Sequence, residues 1–286
     1  MTEFRAACIQ LCTGANPQEN IRELNGYIDQ AAKAGANLVM TPETCNFMAR
    51  GKARAALTVP EPDDPVLRAL QEKAAAHGIW LLAGSMVVTQ DGQKADEQKE
   101  DGQKAVNRSI LLSPDGTVAA RYDKIHLFDV TLSTGEKHFE SRHYAAGHQA
   151  VLADLPWGRL GMTVCYDVRF PELYKMLAGA GADFLTVPSA FTRPTGAAHW
   201  HVLLRSRAIE TGCFVFAPAQ SGEHENGRET FGHSLIIDPW GEVLADAGLE
   251  PGVIYADIKK ERVTKARQQI PSLQHGRGFH LPDDKA

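Results

Sequence analysis

The sequence predicts an α/β protein made of two related halves that pack sheet against sheet, with helices on the outside. Strand-like apolar runs alternate with segments of helical periodicity along the chain. Several segments also recur in the same order, since residues 35–43 (GANLVMTPE) are echoed by residues 181–189 (GADFLTVPS). Two stacked sheets would bury both inner faces, so the expected architecture is a four-layer αββα sandwich.

A further pair of segments extends the repeat. Residues 78–85 (GIWLLAGS) and 109–121 (SILLSPDGTVAAR) correspond to residues 212–219 (GCFVFAPA) and 234–246 (SLIIDPWGEVLAD). The PDG and PWG sequences inside them are typical of hairpin turns, in which Gly116 and Gly241 adopt positive φ.

The elements of the first half follow in order. A helix is expected over residues 16–35, because an asparagine cap is followed by proline at the first helical position. The strand at residues 37–41 then leads to Glu43. An aspartate and a proline open a second helix at residues 64–78, and residues 79–88 form a buried strand.

In the second half, one cysteine lies between a strand and a helix. Residues 158–164 (GRLGMTV) form a buried strand, and Pro171 suits the first turn of a helix that stops at Gly181. Cys165 therefore lies in the intervening turn. The start of a helix and nearby cations can lower a thiol's pKa below the usual value of about 8.5 and make it a nucleophile. A buried, inert cysteine is the alternative.

Two other segments supply partners for a nucleophile. Glu43 ends the segment MTPE, and Lys124 lies two residues before His126 in RYDKIHLFDV. Either residue alone reads as a solvated charge. Together with Cys165 they form an ordered set of Glu, Lys and Cys, each at the end of a separate strand.

This set and its flanking segments resemble the nitrilase superfamily of carbon–nitrogen hydrolases, whose signature is a Glu, Lys and Cys triad. The resemblance covers almost the whole chain and implies an αββα sandwich and an amidase-type hydrolase. The matching segments are KIHLF (124–128), CYDVRFPEL (165–173), AHWHVLLRSRAIET (198–211) and GHSLIIDPWGEV (232–243).

The resemblance implies a role for each residue. Cys165 attacks the amide carbonyl, and Glu43 is the general base. Lys124 and the backbone N–H of Tyr166 hold the oxyanion. A second glutamate supports the lysine in this family, and Glu140 in the segment HFESRHYAAG matches its position, with Glu136 as the competing candidate.

Arg169, Phe191 and His199 are expected to face the substrate, with Trp200 beside His199. Arg169 either binds a substrate carboxylate or anchors the turn through an internal ion pair. Phe191 lines the pocket, and His199 and Trp200 open a helix near the same sheet edge, although packing in the core is the alternative for an aromatic residue there.

The motifs also indicate a branch of the superfamily. The Cys-Tyr-Asp sequence argues against nitriles as substrates, and the 198–211 segment with the LQH sequence at Leu273 is most similar to amidases that act on deaminated glutathione. Omega-amidases acting on 2-oxoglutaramate are the near neighbour, and an N-carbamoyl amino acid hydrolase or a non-catalytic binding protein are further alternatives. His201 departs from the family, in which glutamate usually follows AHW.

Composition excludes several other classes. The chain has 286 residues and a net charge of −5, with no long basic run, so we expect no nucleic-acid partner. No apolar segment approaches the ~20 residues that span a membrane, and residues 1–11 lack the apolar region of a signal peptide. Five scattered cysteines predict reduced thiols and a cytoplasmic enzyme.

We also expect no cofactor and no catalytic metal. His199 and His201 are two residues apart on a predicted helix and so point in different directions. The glycine-containing residues 178–183 (AGAGAD) end a helix and precede a strand, which is the reverse of a dinucleotide-binding motif.

Residues 1–286 are expected to form a single domain and to assemble as a homodimer or a larger homo-oligomer, as the resemblance implies. The tail at residues 271–286 lacks periodicity and is expected to be extended across another surface. The polar repeat at residues 90–105 reads as a solvated hairpin tip.

Overall fold

Two six-stranded sheets form the centre of the computed structural model, which describes residues 3–89, 104–132 and 135–279. The strands are β1 (Glu3–Gln10), β2 (Leu38–Met40), β3 (Trp80–Thr89), β4 (Ala105–Leu112), β5 (Val118–Asp123), β6 (Asp129–Thr131), β7 (Lys137–Phe139), β8 (Val151–Leu155), β9 (Gly158–Met162), β10 (Phe184–Thr186), β11 (Phe214–Ala217), β12 (Ser221–Glu223), β13 (Glu229–Phe231), β14 (Leu235–Ile237), β15 (Val243–Asp246) and β16 (Gly252–Lys259). The helices are α1 (Pro17–Lys33), α2 (Gly51–Leu57), α3 (Pro65–His77), α4 (Pro171–Gly179), α5 (Arg193–Thr211) and α6 (Glu261–Gln269).

The strand order confirms the two related halves. The first sheet runs β16-β1-β2-β3-β4-β5, and the second runs β8-β9-β10-β11-β14-β15. In both sheets the first pair is antiparallel, the next two pairs are parallel and the last two are antiparallel. The repeated segments thus encode the same topology twice.

Aromatic side chains fill the space between the sheets. The ring of Phe4 on β1 lies 5.3 Å from Phe184 on β10 and 6.5 Å from Phe216 on β11. On the outer faces, Leu24 of α1 packs with the first sheet and Leu204 of α5 with the second. The layers therefore follow the predicted αββα order.

The helix starts and hairpin turns form for the predicted reasons. The Asn16 side chain accepts a hydrogen bond from the Gln18 backbone N–H, and Asp64 caps α3 in the same way. Gly116 and Gly241 have φ values of 83° and 84° in the turns between β4 and β5 and between β14 and β15.

The start of α5 differs from the sequence prediction, and the predicted hairpin tip at residues 90–105 lies mostly among residues that the structure does not describe. Helix α5 begins at Arg193, because Pro194 is tolerated in the first turn of a helix. His199 and Trp200 therefore lie about two turns into the helix and do not open it. In the tail, residues 271–279 contain no helix or strand, and Leu273 packs against the core.

Among the described residues, no helix combines the length and the apolar character that a membrane-spanning segment needs.

Gly84 on β3 fixes the loop that carries Glu43. A Cβ atom at Gly84 would lie 1.8 Å from the Thr41 carbonyl oxygen and 2.6 Å from Pro188 Cβ. We expect Gly84→Ala to destabilise the fold by about 1–3 kcal/mol, because backbone must move to relieve the overlap. Urea unfolding measures this, with Gly26→Ala as control because nothing lies within 4 Å of a Cβ there. Equal stability of the two variants would contradict the prediction.

Candidate active site

The structure brings the four predicted catalytic side chains together. Glu43 follows β2, Lys124 follows β5, and Glu140 begins a short 3₁₀ turn after β7. Lys124 Nζ lies 2.9 Å from Glu43 Oε1 and 2.8 Å from Glu140 Oε2. Cys165, which follows β9, is close enough to Glu43 and Lys124 for their charges to shift the pKa of its thiol.

Glu43 is buried and held at both carboxylate oxygens. Asn107 Nδ2 donates to Oε1 at 2.9 Å, and the Ala190 backbone N–H donates to Oε2 at 2.8 Å. Burial raises the pKa of Glu43, but the Lys124 and Arg228 cations outweigh this effect, so the pKa falls below its ordinary value. The group is therefore a fixed carboxylate at neutral pH.

Lys124 is a buried cation between two carboxylates. Burial lowers its pKa, but Glu140 and Glu43 raise it more, and the net pKa lies well above the ordinary lysine value. Glu140 is itself oriented by the Phe128 backbone N–H, which donates to Oε2 at 2.9 Å. Lys124 thus keeps its charge, and its three N–H donors are directed at the carboxylates of Glu43 and Glu140.

Cys165 occupies a strained turn. Its φ is 51°, a left-handed value that non-glycine residues rarely adopt, and a 3₁₀ helix (Cys165–Arg169) separates it from α4. The expected lowering of the thiol pKa is wrong for this structure. Burial raises the pKa above the ordinary value, and the Glu43 charge raises it further. The residue is therefore a thiol until a base removes its proton.

Asp167 connects the cysteine turn to the lysine segment, and sequence reasoning missed it. One oxygen accepts from the Tyr122 hydroxyl at 2.7 Å and the Val164 N–H at 2.8 Å. The other accepts from the His126 backbone N–H at 3.0 Å and from His126 Nδ1 at 2.7 Å. Its partners lie up to 45 positions away, so its place in the CYDVRFPEL segment does not by itself reveal this role.

Asp167→Asn is expected to lower stability by about 1–3 kcal/mol, because either orientation of the amide points its NH₂ group at a backbone N–H donor. The melting temperature measures this effect. Asp154→Asn is the matched control, since Asp154 is exposed and, among the residues that the structure describes, pairs with Arg159 alone. A melting temperature for Asp167→Asn equal to that of the control would show that the four bonds are not needed.

A narrow cleft opens next to Cys165. Its walls include Tyr166 and two of the predicted substrate-facing residues, Arg169 and Phe191, whereas among the described residues His199 does not line the cleft and contacts it only through Arg169. The Arg169 guanidinium lies 5.4 Å from the centre of the Phe191 ring and 3.3 Å from His199 Nδ1. Within the described ranges no acidic side chain pairs with Arg169, so the geometry favours the carboxylate-binding interpretation over the internal ion pair.

A larger cavity of about 540 Å³ adjoins this cleft at Glu140 and Arg228, which line both. Its walls are rich in cations, including Arg50, Arg54 and Arg142. Sequence reasoning missed Arg228, because nothing local marks an arginine in the segment between β12 and β13 as close to Glu43.

Glu136, the competing candidate for the second glutamate, lies elsewhere in this larger cavity. It hydrogen-bonds His138 at 2.7 Å, whereas Glu140 contacts Lys124 directly. The geometry therefore favours Glu140.

Comparisons with known proteins agree with this fold. A family model described as carbon-nitrogen hydrolase matches residues 5–268. The chain is 43% identical over 282 residues to a deaminated glutathione amidase of Synechocystis, covering 96% of this chain and 98% of that protein. It is 38% identical to the deaminated glutathione amidase of Homo sapiens, covering 95% and 81%.

Two solved structures show the same architecture. The crystal structure of the C. elegans NitFhit protein superposes with a TM-score of 0.87 at 33% identity, covering 97% of this chain and 66% of that chain. Nit3 of Saccharomyces cerevisiae, a member of branch 10 of the nitrilase superfamily, gives a TM-score of 0.82 at 28% identity, covering 94% and 95%.

Proposed function

This chain belongs to the carbon–nitrogen hydrolase family and is an amidase, and on that premise we propose that it hydrolyses deaminated glutathione through a thioester formed on Cys165. The observation that carries the mechanism is the contact of Lys124 with Glu43 and Glu140 beside the Cys165 thiol. The substrate is inferred from the deaminated glutathione amidases that this chain resembles and from the arginines that line the larger cavity.

Acylation begins with a neutral thiol. As Sγ of Cys165 attacks the amide carbonyl carbon, Glu43 takes the thiol proton. Because the pKa of Glu43 is lowered and that of Cys165 is raised, the thiolate does not form beforehand, and proton transfer and attack occur in one concerted step. Lys124 and the Tyr166 N–H stabilise the oxyanion of the tetrahedral intermediate. When the C–N bond breaks, Glu43 donates the proton to the leaving nitrogen, and the thioester remains.

Deacylation repeats these proton transfers with water as the nucleophile. Glu43 takes a proton from water as the water oxygen attacks the thioester carbonyl, and the same two donors hold the oxyanion. The C–S bond then breaks, the acid product leaves, and Glu43 returns the proton to Sγ. Glu140 keeps Lys124 in place and balances its charge throughout.

The shape of the site suits an amide with a carboxylate at each end. We place the 2-oxo acid portion in the narrow cleft, where Arg169 can bind its carboxylate as a bidentate partner. The leaving dipeptide then extends into the larger cavity, where Arg50 and Arg142 line the wall and can bind its carboxylate. Ammonia, the leaving group of a primary amide, would leave this cavity unused.

Product release from a panel of substrates tests the proposal. The panel holds deaminated glutathione, 2-oxoglutaramate, glutamine, an N-carbamoyl amino acid and a nitrile. We expect the highest kcat/KM for deaminated glutathione. Faster turnover of 2-oxoglutaramate or the carbamoyl compound would keep the mechanism and overturn the substrate, whereas no turnover of any member would favour a binding role.

The cationic cavity gives a more specific expectation. The double variant Arg50→Gln/Arg142→Gln should raise KM for deaminated glutathione on the order of 10²–10⁴-fold, because it loses two hydrogen bonds to a charged group and each contributes ~1.5–3 kcal/mol. KM for 2-oxoglutaramate, which lacks the dipeptide, should change little. Arg22→Gln on the exposed face of α1 is the control. A parallel rise in KM for both substrates would contradict this placement of the leaving group.

We further propose that the single domain forms a homodimer or a larger homo-oligomer. Ile209 on α5 and Ile270 after α6 are more than half exposed and line a groove of about 550 Å³ with Leu273. Exposed apolar residues grouped in this way favour contact with a second copy. Sedimentation of the wild-type protein and of Ile209→Lys tests this, and a monomeric wild-type protein would overturn it.

We also propose that the enzyme works in the reducing environment of the cytoplasm. All five cysteines are free thiols, and four of them are buried.

A further inference from the structure

We propose that His201, His233 and Asp246 form a binding site for a divalent transition metal ion such as Zn²⁺, separate from the catalytic residues. One ligand atom from each residue lies within 4.8 Å of the other two. Imidazole nitrogen and carboxylate oxygen are ligands that Zn²⁺ prefers. His201 is also the residue at which the sequence departs from the family pattern noted above, so a metal ligand stands where glutamate is usual.

Two of the three distances between the donor atoms are already close to those of a metal site. Asp246 Oδ2 lies 3.1 Å from His201 Nε2 and 3.1 Å from His233 Nδ1. In a tetrahedral site with Zn–N bonds of about 2.0 Å, neighbouring ligand atoms are about 3.3 Å apart. An ion could therefore take the place of the two hydrogen bonds that Asp246 Oδ2 makes with the imidazoles.

Three separate elements hold these ligands in place. His201 lies on α5, His233 precedes β14, and Asp246 ends β15. Asp246 Oδ1 also accepts from the Gly248 backbone N–H at 2.9 Å. The His233 ring stacks on Phe231, with 4.6 Å between ring centres. Ligands that are oriented by such contacts lose little freedom when the ion binds.

The backbone of His233 is strained as well. Its φ is 55°, and within the described part of the chain the other non-glycine residues with left-handed φ are Thr44 and Cys165, both at the active site. The strain is held by two bonds of 2.7 Å, from the His233 N–H to the Gly248 carbonyl and from Trp200 Nε1 to the His233 carbonyl. Such strain persists where the surroundings enforce it, which is typical of functional positions.

The site is accessible and lies behind one wall of the substrate cleft. The side chains of His201, His233 and Asp246 are 38%, 25% and 34% exposed, which leaves room for water as a further ligand. Trp200, which bonds to the His233 carbonyl, contacts the ring of Phe191 with 4.8 Å between centres. A bound ion would thus stabilise a segment that supports the pocket without touching the reacting atoms.

Thermal unfolding with increasing Zn²⁺ tests the proposal. All proteins carry Cys165→Ala, so that the catalytic thiol cannot bind the ion, and are first treated with a chelator. We expect a saturable rise in melting temperature for this parent and for the matched control His148→Ala, an exposed histidine elsewhere. His201→Gln should lose the rise while keeping the metal-free melting temperature of the parent.

Co²⁺ provides a second readout, because its visible absorption bands report coordination by nitrogen and oxygen ligands. These bands should appear at one equivalent in the parent and in His148→Ala and be lost in His201→Gln. The same Zn²⁺ response in His201→Gln as in the parent, or no response in the parent, would overturn the proposal. Neither result depends on amidase activity, so the proposed function is tested separately.

Discussion

Cys165→Ala is expected to lower amide turnover by a factor on the order of 10⁴–10⁶, which is what loss of a nucleophile costs a hydrolase with a covalent mechanism. The fold should be unaffected, because the side chain becomes smaller by one atom in a turn held by the bond from the Cys165 N–H to the Pro188 carbonyl. Steady-state kinetics and the melting temperature measure the two effects.

A second buried thiol supplies the control. Cys8 lies between the sheets, and burial raises its pKa as it does that of Cys165. Cys8→Ala should therefore alter stability and leave kcat nearly unchanged. If Cys165→Ala kept more than about a tenth of wild-type turnover, the covalent mechanism would be wrong, since residual catalysis from oxyanion contacts alone is far smaller.

The candidate site was predictable where each residue lies in a short motif. Glu43, Lys124 and Glu140 were each found from flanking residues, and the structure brings the three into hydrogen-bond contact. The repeat predicted the two related halves for the same reason, because similar segments recur in the same order, but it did not reveal that β16 returns to pair with β1.

Residues defined by tertiary contacts were not predictable. Asn107 bonds to Glu43 across 64 positions, and Asp167 and Arg228 act on the site through partners far along the chain. The protonation state of the Cys165 thiol was not predicted correctly for a related reason. A helix start suggested a lowered pKa, but burial and the Glu43 charge decide its direction, and both are properties of the folded chain.

Lys124→Gln is expected to reduce kcat/KM by about 10³-fold or more, because the variant loses a charged donor to the oxyanion and the residue that fixes Glu43. It also leaves Glu43 and Glu140 as neighbouring carboxylates without the cation between them. The surface variant Lys259→Gln, at an exposed lysine that pairs with Glu3, is the control.

The pH dependence of this variant distinguishes loss of the cation from a general loss of fold. In the wild-type enzyme the pKa of Glu43 is depressed, so activity should fall only as the pH drops below the ordinary glutamate value of about 4.3. Without Lys124, burial dominates and the pKa of Glu43 rises, so the acid limb of the remaining activity should move upward.

Stability should change with pH in the matching direction. A carboxyl group whose folded pKa is raised binds its proton more tightly in the folded state, so stability falls as the pH rises through that pKa. Lys124→Gln should therefore unfold at a lower temperature at pH 8 than at pH 5, relative to the wild-type protein at the same two values. An unshifted acid limb together with an unchanged pH dependence of unfolding would mean that Lys124 does not set the charge state of Glu43.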